Sequence, residues 1–431
     1  MPNLRIVTKN ALRQALSLTA STTAGNLAVS NLPAAVKSAV HRFTGTNGSH
    51  RVTWAAPVRI GCVAYPFCNW SPTAQMRVRI SDELEATNLL PYSQSFSGNG
   101  WAATNVTLTG GVADPAGGSS AFTLTAGSTA ARQFSKTLSA GVSALYTGSV
   151  WLRRRSGTGV VNLWSAGGVR NTSIATLPAT WTRYSVSSAT PTTSRSFMIE
   201  LMASGDKVDI WGAQLEAGAV MTSYYPTTAA AATRPVGYID SWQSYDYDSG
   251  FVLACPAPAV ELEGFTLGQA ASAYAYGGGA YARHWLPQQL DATGLAVDIT
   301  DPDNLQGYLE AACMVAGPVW SPQYNASGTS VSVIDRTEIS RSAAGDQLVD
   351  PGTISRKVPV DLRAMPEVDR ARFLDLVRNS RAYPILMSVF PEHAYVALER
   401  DFMVYGRRTK DSDIAYQFAG AYSTTLEVEE I

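Results

Sequence analysis

The sequence predicts a mainly β protein: a β-sandwich inserted into a discontinuous, strand-rich platform, followed by a β-rich α+β domain. Three observations predict it. Short alternating or apolar runs recur along most of the 431 residues, separated by Gly, Pro, Ser and Asn. Composition shifts after Asp82-Glu83 toward Ser, Thr, Gly and Ala, and shifts back after the Ala/Thr run at 229–233. One segment alone, starting at Met365-Pro366-Glu367, has a convincing helical period. A chain this long is expected to hold about two to four domains.

Residues 1–30 are polar and rich in Ala, Ser and Thr, and read as an extended arm or a poorly ordered lead-in. Residues 31–86 and 236–316 form the two halves of the platform. Strands are expected at 51–54, 58–64 and 76–80, where Met76, Val78 and Ile80 face one way and Arg77 and Arg79 the other. The second half adds 238–242, 251–255, 259–265, 295–299 and 308–315, with a strong turn at 301–307. Between the halves, 87–235 carries strands at 121–125, 146–153, 160–164, 181–186, 197–202 and 208–215. Six or more short strands without helical period imply a sandwich or jelly roll. The last domain, 317–431, alternates strands (331–334, 355–360, 385–389, 402–406, 415–428) with the one helix. Pro366 opens that helix, and Met365, Val368, Phe373, Leu374 and Val377 form the stripe expected to face its core.

Hydrophobic residues make up 45%, which excludes a disordered chain, while charged residues make up only 16%, below the usual ~25%. Two readings of the low charge stand: surface buried against neighbours in an assembly, or Ser, Thr, Gly and Asn doing the solvating. Net charge is −1, so no nucleic-acid binding is expected. Residues 88–235 hold ten basic side chains against five acidic ones, giving the insertion +5 and the remainder −6. That asymmetry fits an anionic surface such as a phosphorylated glycan, or scattered solubilising charge. The four cysteines follow no zinc spacing, and Cys255 and Cys313 sit in apolar runs as buried thiols. No run of 18 apolar residues exists, so no membrane insertion is expected.

Nothing in the chain marks a catalyst. His41, His50, His284 and His393 stand apart in sequence, and no GxSxG elbow or HExxH helix occurs. No motif singles out the facing carboxylates that glycoside hydrolysis needs. Binding chemistry is better represented. Sugars present flat apolar faces edged with hydroxyls, which proteins meet with aromatic rings and planar polar groups. The insertion holds Trp101, Trp151, Trp164, Trp181, Tyr184, Trp211, Tyr224 and Tyr225. Trp151, Trp181 and Trp211 lie within strands and read as core. Trp164 ends a strand beside Gly167-Gly168 and reads equally as core or as an exposed platform. Alternation on the Trp151 strand puts Trp151, Arg153 and Arg155 on one face. Charge beside a ring there suits a sugar or phosphate, or merely a solvated strand end.

Residues 88–227 resemble the carbohydrate-binding-type modules of phage tail proteins. The resemblance rests on Asn88-Leu-Leu, Phe96 with Trp101, Tyr146-Thr-Gly-Ser-Val-Trp-Leu, Trp181-Thr-Arg-Tyr, Ile210-Trp-Gly-Ala-Gln-Leu-Glu and Thr222-Ser-Tyr-Tyr-Pro-Thr. The flanks resemble phage tail-tip proteins. Val29-Ser-Asn-Leu and 52–80 are similar to the first half of a galactose-binding-like jelly roll; Asp301-Pro-Asp-Asn, Gly307-Tyr308, Gly317-Pro318 and 322–328 are similar to its later part. Residues beyond 330 are similar to distal-tail or baseplate proteins. The resemblance implies a non-enzymatic virion component, made in the host cytoplasm and placed in the tail tip or baseplate. It forms a ring with itself around the tail axis and contacts other tail-tip or tail-tube proteins. Its inserted module holds a host cell-surface glycan, with Trp164, Arg153, Arg155 and Tyr184 as candidate contacts. No cofactor is expected. Related sandwiches admit a Ca2+ in the module, though no acidic cluster here demands one. A standalone multi-module lectin and a glycan-degrading tail enzyme are the alternatives.

Overall fold

A computed structural model of the protein describes residues 3–139, 145–165, 170–189, 194–240, 242–243, 245–255, 257–260, 262, 270–418 and 420–431. The fold is mainly β and almost wholly antiparallel. It divides into two compact units, Glu83–Tyr245 and the remainder, Met1–Asp82 with Asp246–Ile431. Among the described residues no helix is long and apolar enough to cross a membrane.

Among the described residues the larger unit contains two large sheets and one two-stranded ribbon. The first runs Tyr247–Asp248, Gln75–Ser81, Ala280–Thr300, Asn47–Cys68, Glu310–Ala311, His41–Arg42, with Val252–Leu253, Ser17–Ala20 and Val315–Gly317 paired alongside. The expected strands 51–54 and 58–64 merge into one, Asn47–Cys68, and 295–299 is the end of a second long strand, Ala280–Thr300. Their register slips between Trp285 and Leu290 and again between Ala292 and Gly294. Such irregularities bend and twist strands, and the sheet curls around one core containing Trp54, Tyr65, Trp70, Met76, Val78, Ile80, Val297 and Ile299. This is the discontinuous jelly roll. Opposite the Met76–Val78–Ile80 row, Arg79 reaches Asp298 at 2.6 Å and Arg77 pairs with Asp248. Most of the expected strand 259–265 lies outside the described residues.

The insertion interrupts a hairpin. Ile80 and Tyr247 are direct cross-strand partners, so the chain leaves and re-enters the sheet at adjacent positions. The insertion's own ends also pair, Ala86–Asn88 with Ala232–Arg234. An insert whose ends are held together adds little loop-closure cost to its host. Its boundary lies beyond residue 235. Among the described residues of the expected strand 238–242 none is in a strand: the Asp240 carboxylate accepts the Trp242 and Gln243 N–H groups at 3.2 and 3.0 Å. Gln243 then accepts the Tyr224 N–H at 2.6 Å, fastening this segment to the insertion.

The second sheet of the larger unit orders Val319–Trp320, Arg5–Val7, Ile385–Ser388, Met403–Arg408, Ala421–Glu430, Ile354–Met365 and Ser332–Asp335, with Ala415–Phe418 beside Ala421–Glu430. Arg5–Val7 is an interior strand, and Leu4 and Ile6 are buried. The N-terminal residues are therefore no arm at this point; a three-residue strand is too short to show a period. The helix spans Glu367–Asn379 with Pro366 as N-cap residue. Its buried side chains are Asp369, Phe373 and Leu376, while Val368 is 62% exposed. Asp369 sets this rotation by accepting the Trp320 Nε1–H at 3.1 Å and the Gln323 N–H at 2.7 Å. A short helix, Val396–Asp401, carries buried Glu399 to Arg283 (2.6 and 3.0 Å) and Trp285 (3.2 Å). Tyr281, on the same face of that strand, donates to Glu430 at 2.5 Å. Alternate residues of one jelly-roll strand thus anchor the second sheet, so residue 317 marks no break in packing.

The insertion is a sandwich of two five-stranded sheets. One orders Arg170–Ile174, Val161–Ser165, Ser194–Leu201, Gln133–Ser139, Trp101–Thr104; the other Thr182–Ala189, Leu145–Ser156, Lys207–Ala217, Ala121–Ala126, Val106–Val112. Phe134, Val150, Leu152, Leu163, Phe197, Ile199, Ile210 and Leu215 fill the space between them. Four of these strands escape the sequence reading (Trp101–Thr104, Val106–Val112, Gln133–Ser139, Arg170–Ile174), because their Thr, Gly, Ala and Ser residues give weak alternation.

Candidate functional site

Strand alternation decides what each sheet shows to solvent. In the first sheet Val161, Leu163, Phe197, Ile199 and Phe134 point into the core. Asn162, Trp164, Met198, Glu200, Gln133 and Ser135 therefore point outward. Cross-strand register arranges them in two rungs. One is Trp164, Met198, Ser135, Ala102; the other Ser173, Asn162, Glu200, Gln133, Thr104. At about 4.8 Å per strand, a rung across four strands spans roughly 14 Å.

Glu200 organises this face. Its carboxylate accepts the Trp164 Nε1–H at 3.2 Å, the Asn162 Nδ2–H at 3.1 Å and the Gln133 Nε2–H at 3.3 Å. Ser173 in turn donates to Asn162 Oδ1 at 2.8 Å. The half-buried indole is held by its edge and keeps an apolar ring for contact. A carboxylate has about four lone-pair positions, so three donors leave one for an incoming hydroxyl. Side chains already fixed in place lose little rotamer entropy when a ligand arrives.

The outer face of the second sheet is covered around Trp211, and at its other end half-buried Arg153 and exposed Arg155 are tied up internally. Trp151, Arg153 and Arg155 do share this face, on the strand Leu145–Ser156. Both arginines converge on Asp209, Arg153 Nε at 2.8 Å from Oδ2 and Arg155 Nε at 2.8 Å from Oδ1, while Thr123 Oγ1 donates to Oδ1 at 2.6 Å. Asp209 is buried. Burial pushes its carboxyl pKa up, but the donors from Arg155, Thr123 and Arg153 outweigh it and hold the carboxyl below its ordinary value. The ring under Arg153 is Trp181, at 4.6 Å, rather than Trp151. Beyond it Trp211 packs 5.0 Å from Tyr224 and 5.1 Å from Trp242, and Trp151 lies 5.8 Å from Trp242. Trp211 donates its Nε1–H to Ser120 at 2.7 Å. Gly212 permits this stack: its φ is +62°, and an added Cβ would meet Trp151 at 3.1 Å and Tyr224 at 3.3 Å.

The four candidate contacts are thus not brought together. Trp164 lies on the open face and Arg153 and Arg155 on the covered one. Tyr184 pairs with Val150 and packs against the inner core. Glu200, Asn162, Gln133 and Met198 are not among the sequence candidates; for Asn162, Met198 and Glu200 the alternation of the Trp164 strand and its neighbour was the available signal. Gly167 and Gly168 lie outside the described residues. Most of the ten basic side chains are engaged internally. Arg154 pairs with Asp206 and Arg234 with Glu83, Arg132 and Lys136 bond backbone carbonyls, and half-buried Arg183 reaches Thr222 and Ser149. Burial lowers the Arg183 pKa to about 10.

The acids of the insertion are taken up by donors of the protein itself. Asp114 accepts backbone N–H groups of Ala116, Gly118 and Ser120, Asp206 and Asp209 take guanidinium groups, and Glu216 accepts from Gln214 and Thr222. Among the described residues no three His, Cys, Asp or Glu side chains group to hold a metal. In the jelly roll, His41 and His50, nine residues apart in sequence, meet at 3.1 Å, and His50 also bonds Tyr65 at 3.0 Å. Burial pushes the His41 pKa down to about 4 and that of His50 well below its usual value. All four cysteines are free and buried.

No protein-family model matches the chain, and no curated protein matches it. Among solved structures it is similar to the CBM22-1–GH10 modules of a Clostridium thermocellum endo-1,4-β-D-xylanase complexed with xylohexaose, at 13% identity over 33% of this chain and 30% of that one, TM-score 0.27. It is similar to the CBM22-1 xylan-binding domain of a Paenibacillus barcinonensis protein, at 14% identity over 32% of this chain and 96% of that one, TM-score 0.24. It is also similar to the enzymatically active domain of bacteriophage CBA120 tailspike protein 4, at 16% identity over 30% of this chain and 21% of that one, TM-score 0.23. The match spans less than a third of the xylanase and tailspike chains.

Proposed function

We propose that the protein binds carbohydrate, without turnover, on the open face of its insertion, and that it displays this face from a ring in a phage tail tip. The observation that carries the binding reading is the Trp164–Glu200 cluster. An indole fixed by its N–H offers an apolar platform to a sugar ring. Glu200 and Gln133 offer acceptors and donors for its hydroxyls, with buried Asn162 bracing the Glu200 carboxylate from beneath. A shallow face of this kind binds weakly, and many copies on one particle would multiply weak sites into avidity. The tail-tip part is supported by the sequence resemblance of the flanks, by the low charged fraction of 16%, and by a binding unit carried as an insertion in another domain.

The test is a glycan array probed with the full chain, with the mass and shape of the same sample measured by light scattering and negative-stain microscopy. The expected result is glycan binding lost in Trp164→Ala, rings as the assembled state, and no sugar released from the bound polysaccharide. A sugar-binding monomer supports a standalone lectin instead. Released sugar contradicts the non-enzymatic reading.

A further inference from the structure

The geometry points to a docking arm: the β-ribbon Glu338–Arg341 with Gln347–Asp350 of one copy seats on the helix Glu367–Asn379 of the next. This deepens the ring reading above and rests on it. The ribbon is an isolated two-stranded hairpin closed by the turn Ser342–Asp346, and it belongs to no larger sheet. Both of its faces are exposed: Ile339 is 63%, Leu348 54% and Val349 56% exposed. An isolated hairpin is marginally stable in water at best, and three exposed apolar residues on a short ribbon mark a surface built to be covered.

Charge identifies the partner. Glu338 and Asp350 are direct cross-strand neighbours, and among the described residues neither has an ion-pair partner. Like charges directly opposite destabilise a ribbon. The Glu338–Asp350 side, which also carries Leu348, therefore calls for an apolar contact flanked by cations. The helix offers that pattern. Val368 and Arg372 lie four residues apart on one exposed flank, Arg381 follows just past the helix end, and neither arginine is ion-paired among the described residues, whereas Asp375 on the same flank is taken up by Arg378. Ribbon to helix is a heterologous contact between unlike surfaces of identical chains, and such contacts generate rings when the rotation closes.

The experiment is sedimentation of the full chain with charge swaps. Glu338→Arg with Asp350→Arg is expected to weaken self-association at least tenfold, and Leu348→Ser to weaken it without changing charge. Adding Arg372→Glu and Arg381→Glu to the first pair is expected to restore the oligomer, which a misfolded ribbon cannot do. An oligomer indifferent to the ribbon variants overturns the arm but leaves the ring standing, as does a loss that the reciprocal swap fails to rescue. A wild-type chain that stays monomeric at high concentration overturns both.

Discussion

The two outer faces of the inserted sandwich have similar raw materials and opposite fates. The second sheet has more aromatic rings and two arginines, yet its groups are spent on one another. Asp209 neutralises Arg153 and Arg155, Trp181 lies under Arg153, and Tyr224 and Trp242 close over Trp211. The outer face of the first sheet has one tryptophan, but its ring remains in contact with solvent and its polar neighbours converge on a single carboxylate. Aromatic and basic content therefore does not locate a binding face. What locates it is which rings and hydrogen-bonding positions the fold leaves free.

The difference can be broken from either side. The largest effect is expected from Trp211→Ala, which empties the covered face and should destabilise the insertion by about 3–5 kcal/mol, read from its denaturant midpoint. Asp209→Asn removes the charge that holds two guanidinium groups and should cost about 2–3 kcal/mol. Where these variants remain folded, their sugar affinity should be unchanged. On the open face the order reverses. Trp164→Ala should alter stability by less than about 1.5 kcal/mol yet lower glycan affinity at least tenfold. Glu200→Gln keeps the shape but weakens the charge-assisted bonds that hold the indole, and should lower affinity severalfold in isothermal titration.

Acid sharpens the same contrast. The Asp209 carboxyl is held below its unfolded value, so the unfolded chain binds its proton first as pH falls. The stabilisation is therefore complete above the ordinary Asp range, near ~4, and is lost as pH drops through the lower folded value. His41 and His50 act over a higher window. Their folded pKa values lie below the unfolded ~6.5, so the jelly roll should lose stability as pH falls from that value toward about 4. Thermal melts between pH 7 and 3.5 should show the larger unit weakening before the insertion.

Much of this architecture is legible in the sequence where alternation is strong. Met76–Val78–Ile80 and Val161–Leu163 announce their inner faces, and the composition shift at 82 marks where the insertion begins. It fails where short-range pattern competes with tertiary contact. Trp242 looks like part of a host strand until Asp240 turns it onto Trp211. Val368 looks like core until the Asp369–Trp320 bond rotates the helix. Arg5–Val7 is too short to register at all. On the candidate site, alternation alone sends Arg153 and Trp151 outward, but no local signal reveals that Trp242, at the far end of the insertion, packs on Trp151 or that Asp209 takes up Arg153.

The most direct test is paired titration of a glycan bound by the wild-type chain into Trp164→Ala and Arg155→Ala. Affinity lost in Trp164→Ala and kept in Arg155→Ala is the expected result. The reverse, binding that survives without Trp164 and fails without Arg155, would contradict the assignment of the open face as the carbohydrate site.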